Sequence, residues 1–251
     1  MLQRREYKYL IDEATAARVR RAIAGFCGGD EHAAATGGRY VCDTIYLDTL
    51  QLHIYRATIE NEAVRYKLRI RTYPGTQSPV FLEVKRRVDD VIVKSRAAIR
   101  GDWRALLETG DISLVPAGEL RAAENFLTYY QACRGGPMVP TAMIRYEREP
   151  YSSLVDDYVR ITFDRKLRYQ AATELAFTSD ERLWTPIDDP VAMRVAPALS
   201  AVVLELKFMQ TVPPWLRSIV QRLELSRLSY CKYTRGVDSM LHRPLSRARI
   251  G

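Results

Sequence analysis

Between residues 64 and 87 apolar and charged side chains alternate with a period of two. Val64, Tyr66, Leu68 and Ile70 interleave with Arg65, Lys67, Arg69 and Arg71. After a turn through Pro74-Gly75, Leu82 and Val84 interleave with Glu83, Lys85 and Arg87. Successive side chains of a strand point to opposite faces, so this pattern predicts two strands, each with an apolar and a charged face. The same alternation recurs along the chain. Residues 4–11 set Glu6 and Lys8 against Tyr7 and Tyr9, and residues 39–48 set Tyr40, Cys42, Thr44 and Tyr46 against Val41, Ile45 and Leu47. Residues 91–100 put Lys94 and Arg96 on one face, and residues 139–149 carry Arg145 and Arg148. Residues 158–164 set Arg160, Thr162 and Asp164 against Val159, Ile161 and Phe163, with 166–171 expected to complete a hairpin. Residues 201–209 form the most apolar strand, interrupted by Glu205 and Lys207 on one face.

Helical spacing appears between these strands. Asp12 is a good N-cap for 13–26, where Val19, Ile23 and Phe26 recur and Gly28-Gly29 end the helix. Residues 52–59 predict a short helical turn, and 102–109 and 120–133 predict helices, the second with Leu120, Ala123, Phe126, Leu127 and Tyr130 on one stripe. Gly135-Gly136-Pro137 breaks it, so 102–135 reads as a helical insertion. Pro213-Pro214 opens an amphipathic helix through Leu216, Ile219, Val220 and Leu223. Residues 30–38 and 178–198 read as loops, and no repeat or long linker divides residues 1–251 into two domains.

The charged faces have two readings. They are the solvated outer faces of a β-sandwich, or they line the inside of a closed antiparallel β-barrel whose apolar exterior is wrapped by helices. A strand as apolar as Val202-Val203-Leu204-Glu205-Leu206-Lys207-Phe208 belongs at the centre of a sheet, and charges there need a reason. Cations crowded into a bore repel, by roughly 3 kcal/mol for a pair ~6 Å apart at an effective dielectric of about 20. A chain of phosphates relieves that repulsion, since arginine grips phosphate oxygens bidentately and lysine neutralises them as a point charge. Carboxylates in such a bore repel phosphate unless a divalent cation lies between.

Composition narrows the partners. A formal charge of +8 favours an anionic one. No apolar run approaches the ~18 residues of a membrane span, and the N-terminus enters a strand without an apolar leader, so a cytoplasmic protein is expected. The four cysteines (Cys27, Cys42, Cys133, Cys231) are widely spaced, and His32, His53 and His242 are scattered, which argues against a disulfide framework, a zinc site or a histidine-based catalytic pair. There is no GxxxxGK[ST], GxGxxG or GxSxG motif. A channel for single-stranded nucleic acid also combines basic and aromatic residues, and composition alone leaves it open.

An ordered set of motifs goes further. Glu6-Tyr7-Lys8-Tyr9, Thr44-Ile45-Tyr46-Leu47-Asp48, Lys67-Leu68-Arg69-Ile70-Arg71-Thr72-Tyr73, Phe81-Leu82-Glu83-Val84-Lys85, Val159-Arg160-Ile161-Thr162-Phe163-Asp164, Leu204-Glu205-Leu206-Lys207 and Cys231-Lys232-Tyr233 together resemble the vacuolar transporter chaperone (VTC) catalytic domain, of the triphosphate tunnel metalloenzymes. The resemblance implies an α+β fold built on a closed antiparallel β-tunnel with a charged interior, flanked by helices. It implies a polyphosphate polymerase that moves the γ-phosphate of a nucleoside triphosphate such as ATP onto inorganic polyphosphate. A metal-dependent tripolyphosphatase or nucleoside triphosphatase is the alternative, and a non-enzymatic polyphosphate binder a third reading; nucleic acid falls outside the partners implied. By position, Lys8, Arg69, Arg71, Lys85, Arg145, Arg160 and Lys207 would act on the phosphates, with Lys67, Lys94, Arg96, Ser229 and Lys232 binding substrate. Glu205 would hold Mn²⁺ or Mg²⁺, with Glu6, Glu83 and Asp164 in support. Ser229 and Cys231 stand where eukaryotic members have a lysine and a serine before the final lysine. The membrane-anchoring and phosphate-sensing domains of those members have no counterpart here, as expected of a stand-alone bacterial form.

Overall fold

The computed structural model describes residues 4–77, 79–88, 91–131, 136–156, 158–178, 180–187, 202–209 and 211–241. Cys133 and the greater part of the loop expected at 178–198 lie outside the described residues, as does the basic end at Arg243, Arg247 and Arg249. The chain opens with β1 (Arg4–Ile11), α1 (Glu13–Ile23), β2 (Cys27–Gly29) and α2 (Glu31–Ala34). β3 (Tyr40–Asp48), α3 (His53–Ile59), β4 (Val64–Thr72), β5 (Val80–Val88) and β6 (Val91–Ile99) follow. Next come α4 (Trp103–Thr109), α5 (Leu120–Gln131), β7 (Val139–Ser153) and β8 (Arg160–Ala171). β9 (Thr185–Pro186), β10 (Val202–Met209), α6 (Pro214–Arg222) and α7 (Lys232–Leu241) complete the described chain.

Local chemistry accounts for the ends of these elements. Asp12 caps α1, its Oδ1 accepting from the Thr15 amide at 2.6 Å, and Asp102 caps α4 through the Arg104 and Ala105 amides. α1 stops at Ile23, earlier than its apolar spacing predicts, because Cys27–Gly29 pairs as a strand with Ser153, Ser152 and Tyr151. Residues 166–171 do not turn back as a hairpin; they continue β8. Lys166 sits at φ 49°, where β8 carries one more residue than β7 between the Arg145–Arg168 and Glu147–Arg165 pairs. This bulge absorbs the extra residue and lets a single strand run on.

All ladders are antiparallel, and the strands follow the order β1-β10-β8-β7-β3-β4-β5-β6, with β2 attached to β7 and β9 to β8. Among the described residues no backbone ladder joins β1 to β6, so the sheet is not closed by backbone hydrogen bonds. Its apolar face is turned outward under the helices. Tyr9, Ile161, Phe163, Leu204, Leu206 and Phe208 pack beneath Val19 and Ile23 of α1 and Leu216 and Ile219 of α6. Leu68, Ile70, Leu82 and Val84 pack beneath α4 and α5 through Leu106, Ala123 and Phe126. Each such large side chain contributes roughly 1.5–3 kcal/mol when buried, which fixes the sheet with its charged face inward. Helix α7 packs on β3 and β7: Tyr233 stacks on Tyr46 at 5.0 Å between centroids, and a Cβ on Gly236 would lie 2.5 Å from Ile144 Cδ1. Any larger residue there would have to push the tip of Ile144 aside.

Candidate functional site

The charged rows meet in one cavity of about 1470 Å³. β4 supplies Arg65, Lys67, Arg69 and Arg71; β5 supplies Lys85 and Arg87; β6 supplies Lys94 and Arg96. β1 adds Glu6 and Lys8, β8 adds Arg160, β10 adds Glu205 and Lys207, and Ser229, Cys231 and Lys232 close in from the start of α7. The sandwich reading is thereby excluded, since its charged faces would point to separate solvent surfaces. The acidic side chains lining the cavity are Glu6, Asp30 and Glu205, a small minority against the bases.

Each buried carboxylate is held by several cations. Glu205 Oε1 lies 3.0 Å from Lys232 Nζ and 3.6 Å from Lys8 Nζ, while Oε2 lies 3.0 Å from Lys207 Nζ and 3.5 Å from Arg148 Nη2. Burial alone would push its carboxyl up; Lys232, Lys207, Lys8 and Arg148 overcome this and hold it well below the usual range. Glu83, 1% exposed, lies behind the lining and is gripped by Arg69 Nε at 2.6 Å, Lys94 Nζ at 2.8 Å, and Arg96 and Arg71 further off. Asp164, fully buried, accepts both Arg148 Nε and Nη2 at 2.7 Å and pairs with Lys232 at 2.6 Å. Glu83 and Asp164 therefore aim arginines and lysines into the bore. Glu6 accepts from Lys85 at 3.1 Å and faces Lys8 at 3.2 Å. The lysines feel the crowding. Burial outweighs the pull of Glu83 on Lys94, whose pKa drops to about 8 although its side chain is 42% exposed. Burial lowers Lys85 as well, while for Lys8 the attraction of Glu205 and Glu6 overcomes burial and raises it.

The donor set bears on a metal. The described residues contain no group of three or more His, Cys, Asp or Glu side chains placed to hold an ion. Glu6 and Glu205, on the paired strands β1 and β10, both face the bore and share Lys8. Two carboxylates fit Mg²⁺ or Mn²⁺ when substrate phosphates complete the shell, the usual mode of such ions at phosphate sites.

Arg145 is the exception among the expected phosphate-binding residues. It lies on the outer face of β7, donating Nε and Nη2 to Asp43 at 2.7 Å, pairing with Glu181 and lying over the Trp184 ring. The reason is parity: Arg145 and Arg148 are three residues apart on one strand, so their side chains leave opposite faces. Arg148 is the residue that enters the bore, with Tyr146 on the same face beneath it. The strict count of two from Tyr146 was the signal that could have found this pair. Thr162, on the bore side of β8 opposite Glu205, also lines the cavity, and its hydroxyl has no hydrogen-bond partner among the described residues.

Comparisons with known proteins follow this geometry. Among solved structures, a protein of Bacillus halodurans described as a candidate adenylate cyclase is 12% identical, over 90% of this chain and 92% of that one, with a TM-score of 0.48. A protein of Pyrococcus horikoshii OT3 is 13% identical over 94% and 99% of the two chains, also with a TM-score of 0.48. A candidate adenylate cyclase of Vibrio parahaemolyticus is 11% identical over 93% and 97%, with a TM-score of 0.45. Likeness this remote carries no inference about activity. No curated protein sequence matches the chain. The family model described as the VTC domain matches residues 3–241, nearly the whole length, and the chain belongs to that family.

Proposed function

We propose that this protein is a polyphosphate polymerase-like phosphotransferase, moving the γ-phosphate of a nucleoside triphosphate onto a polyphosphate chain held in the bore. Membership of the VTC domain family and the tunnel architecture support phosphotransfer or phosphate hydrolysis in general. The observation that carries the finer reading is the convergence of Arg69, Arg71, Arg148, Arg160 and Lys207 on one cavity beside Glu205. Phosphoryl transfer asks a protein mainly for alignment and for fixed charge around the equatorial oxygens, and these side chains supply both. Arg69, Arg71 and Arg160 steady the transferring group; Lys8, Lys85, Lys207 and Lys232 hold donor and acceptor phosphates; Lys67, Lys94, Arg96 and Ser229 bind the flanking chain. Glu83 and Asp164 position the arginines. Glu205 and Glu6 would hold Mn²⁺ or Mg²⁺, which when bound neutralises phosphate oxygens that the carboxylates would otherwise repel.

Activating water calls for a base whose pKa lies near the working pH; burial notwithstanding, the surrounding cations hold the carboxylates Glu205 and Glu83 well below the usual range, which leaves these two weak bases. The terminal oxygen of polyphosphate is already anionic and needs no base. Incubation with ATP and Mn²⁺, followed by a gel that separates polymer from orthophosphate, tests the proposal. Polymer that disappears in Glu205→Gln supports it; orthophosphate alone assigns the protein as a hydrolase.

A further inference from the structure

Lys8 Nζ lies 3.2 Å from Glu6 Oε1 and 3.6 Å from Glu205 Oε1, and it donates to the Tyr230 carbonyl at 2.9 Å. Among the described residues, Lys8 is the side chain that forms ion pairs with both bore-facing glutamates. The hydrogen bond to the Tyr230 carbonyl and the attraction of both carboxylates hold the ammonium between them. We propose that Lys8 is a gate for the divalent ion: its ammonium fills the place between Glu6 and Glu205, excludes a bare ion, and yields only when phosphate arrives.

The argument is one of charge exchange. An ion that bridged Glu6 and Glu205 would sit against Lys8 and be repelled, unless the ammonium withdrew. Withdrawal without a new partner would strand a cation among Lys85, Lys207 and Lys232, which already crowd that wall. A phosphate oxygen supplies that partner. As phosphate draws Lys8 from the carboxylates, it also offers the oxygens that complete the ion's shell. Metal and phosphate then bind with positive coupling, and the coupling is reciprocal. Lys8 thus keeps a bare ion out of the empty bore, a role added to its contact with phosphate.

This inference rests on the phosphate-tunnel reading, and its test separates the two. Free Mn²⁺ is titrated by electron paramagnetic resonance against wild type, Lys8→Met and Lys8→Gln, without nucleotide, with circular dichroism checking the fold. Both variants should bind bare Mn²⁺ at least tenfold more tightly than wild type, and adding Glu205→Gln should remove the gain. Wild type should reach comparable affinity once tripolyphosphate is added, after subtracting the Mn²⁺ that tripolyphosphate holds alone. A folded Lys8→Gln protein without the gain overturns the gate, as does wild type that binds bare Mn²⁺ as tightly as the variants. Wild type that binds no tripolyphosphate in calorimetry removes the phosphate reading, and the gate with it.

Discussion

Lys85 Nζ donates to Glu6 Oε2 at 3.1 Å, although β1 begins the pairing path and β5 lies one strand from its other end. The sheet has therefore curled until its first strand meets its last strands through side chains. Leu228 extends the seam, its amide donating to the Lys8 carbonyl at 3.0 Å along the free edge of β1. A bore joined this way keeps its charges together without a closing ladder. Its cost is repulsion among cations that have few anions of their own.

That repulsion predicts a trade between stability and binding. Burial lowers the pKa values of Lys85 and Lys94 despite their carboxylate partners, so both are less comfortable as cations in the fold than in the open chain. Lys94→Met should leave the melting temperature of the unliganded protein equal or higher. It should weaken tripolyphosphate by about tenfold, the worth of one charge-assisted hydrogen bond. Differential scanning fluorimetry and calorimetry on the same samples check both halves. A fall in melting temperature with unchanged affinity would assign Lys94 a purely structural role.

Proton linkage follows from the same lysine. Its pKa falls from 10.5 to about 8 in the folded protein, so folding releases a proton in that window and stability gains from this group as pH rises from 8 towards 10.5. Phosphate beside Lys94 restores its charge, so tripolyphosphate binding should take up protons between those values. Calorimetry in buffers of different ionisation enthalpy reads the uptake directly. Lys94→Met should reduce it; identical uptake in the variant would move its source elsewhere in the bore.

Acid acts through the carboxylates with the opposite sign. Burial opposes ionisation of Glu205 and Glu83, but Lys232, Lys207, Arg69 and Arg71 prevail and hold both well below 4.5. Their contribution is fully present above the ordinary carboxylate range and is lost as pH falls through the folded values. The melting temperature should decline steeply below about pH 4, with a shallower decline in Glu205→Gln, which has one such group fewer. Parallel acid limbs in wild type and variant would count against Glu205 as a contributor.

The alternation of two carried most of this architecture in the sequence. Arg65 to Arg71, Lys85, Lys94, Arg160 and Lys207 could be placed on inward faces because their apolar neighbours demanded the outside. What the pattern did not reveal depended on backbone geometry and distant contacts. The bulge at Lys166 turned an expected hairpin into one strand, since a single residue at positive φ leaves no mark in hydrophobic spacing. Glu83 and Asp164 share the parity of the bore residues, yet their depth and their pairing with Arg69 and Arg148 directly opposite on the neighbouring strands depend on ladder register, which hydrophobic spacing does not fix. The packing of α7 over Ile144 and Tyr46 was likewise hidden, because Gly236 reads in the sequence as a weak helix position.

Arg145 and Arg148 offer the sharpest contrast, being neighbours in sequence with opposite surroundings. Arg145→Ala strands Asp43, which is 1% exposed and whose pKa burial already raises against the pull of Arg145. Losing one partner of a buried pair typically costs about 3–5 kcal/mol. Part of that is recovered here as Asp43 takes up a proton, so a loss of roughly 3 kcal/mol is expected, with tripolyphosphate affinity per folded molecule unchanged. Arg148→Ala should do the reverse in emphasis. Lys232 still pairs with Asp164, and Lys8, Lys207 and Lys232 still surround Glu205, so the fold keeps much of its compensation while the bore loses a guanidinium. Its tripolyphosphate affinity should fall tenfold or more. Urea unfolding paired with calorimetry on the two variants decides the matter: equal losses of affinity would mean that parity along β7 does not separate structure from binding.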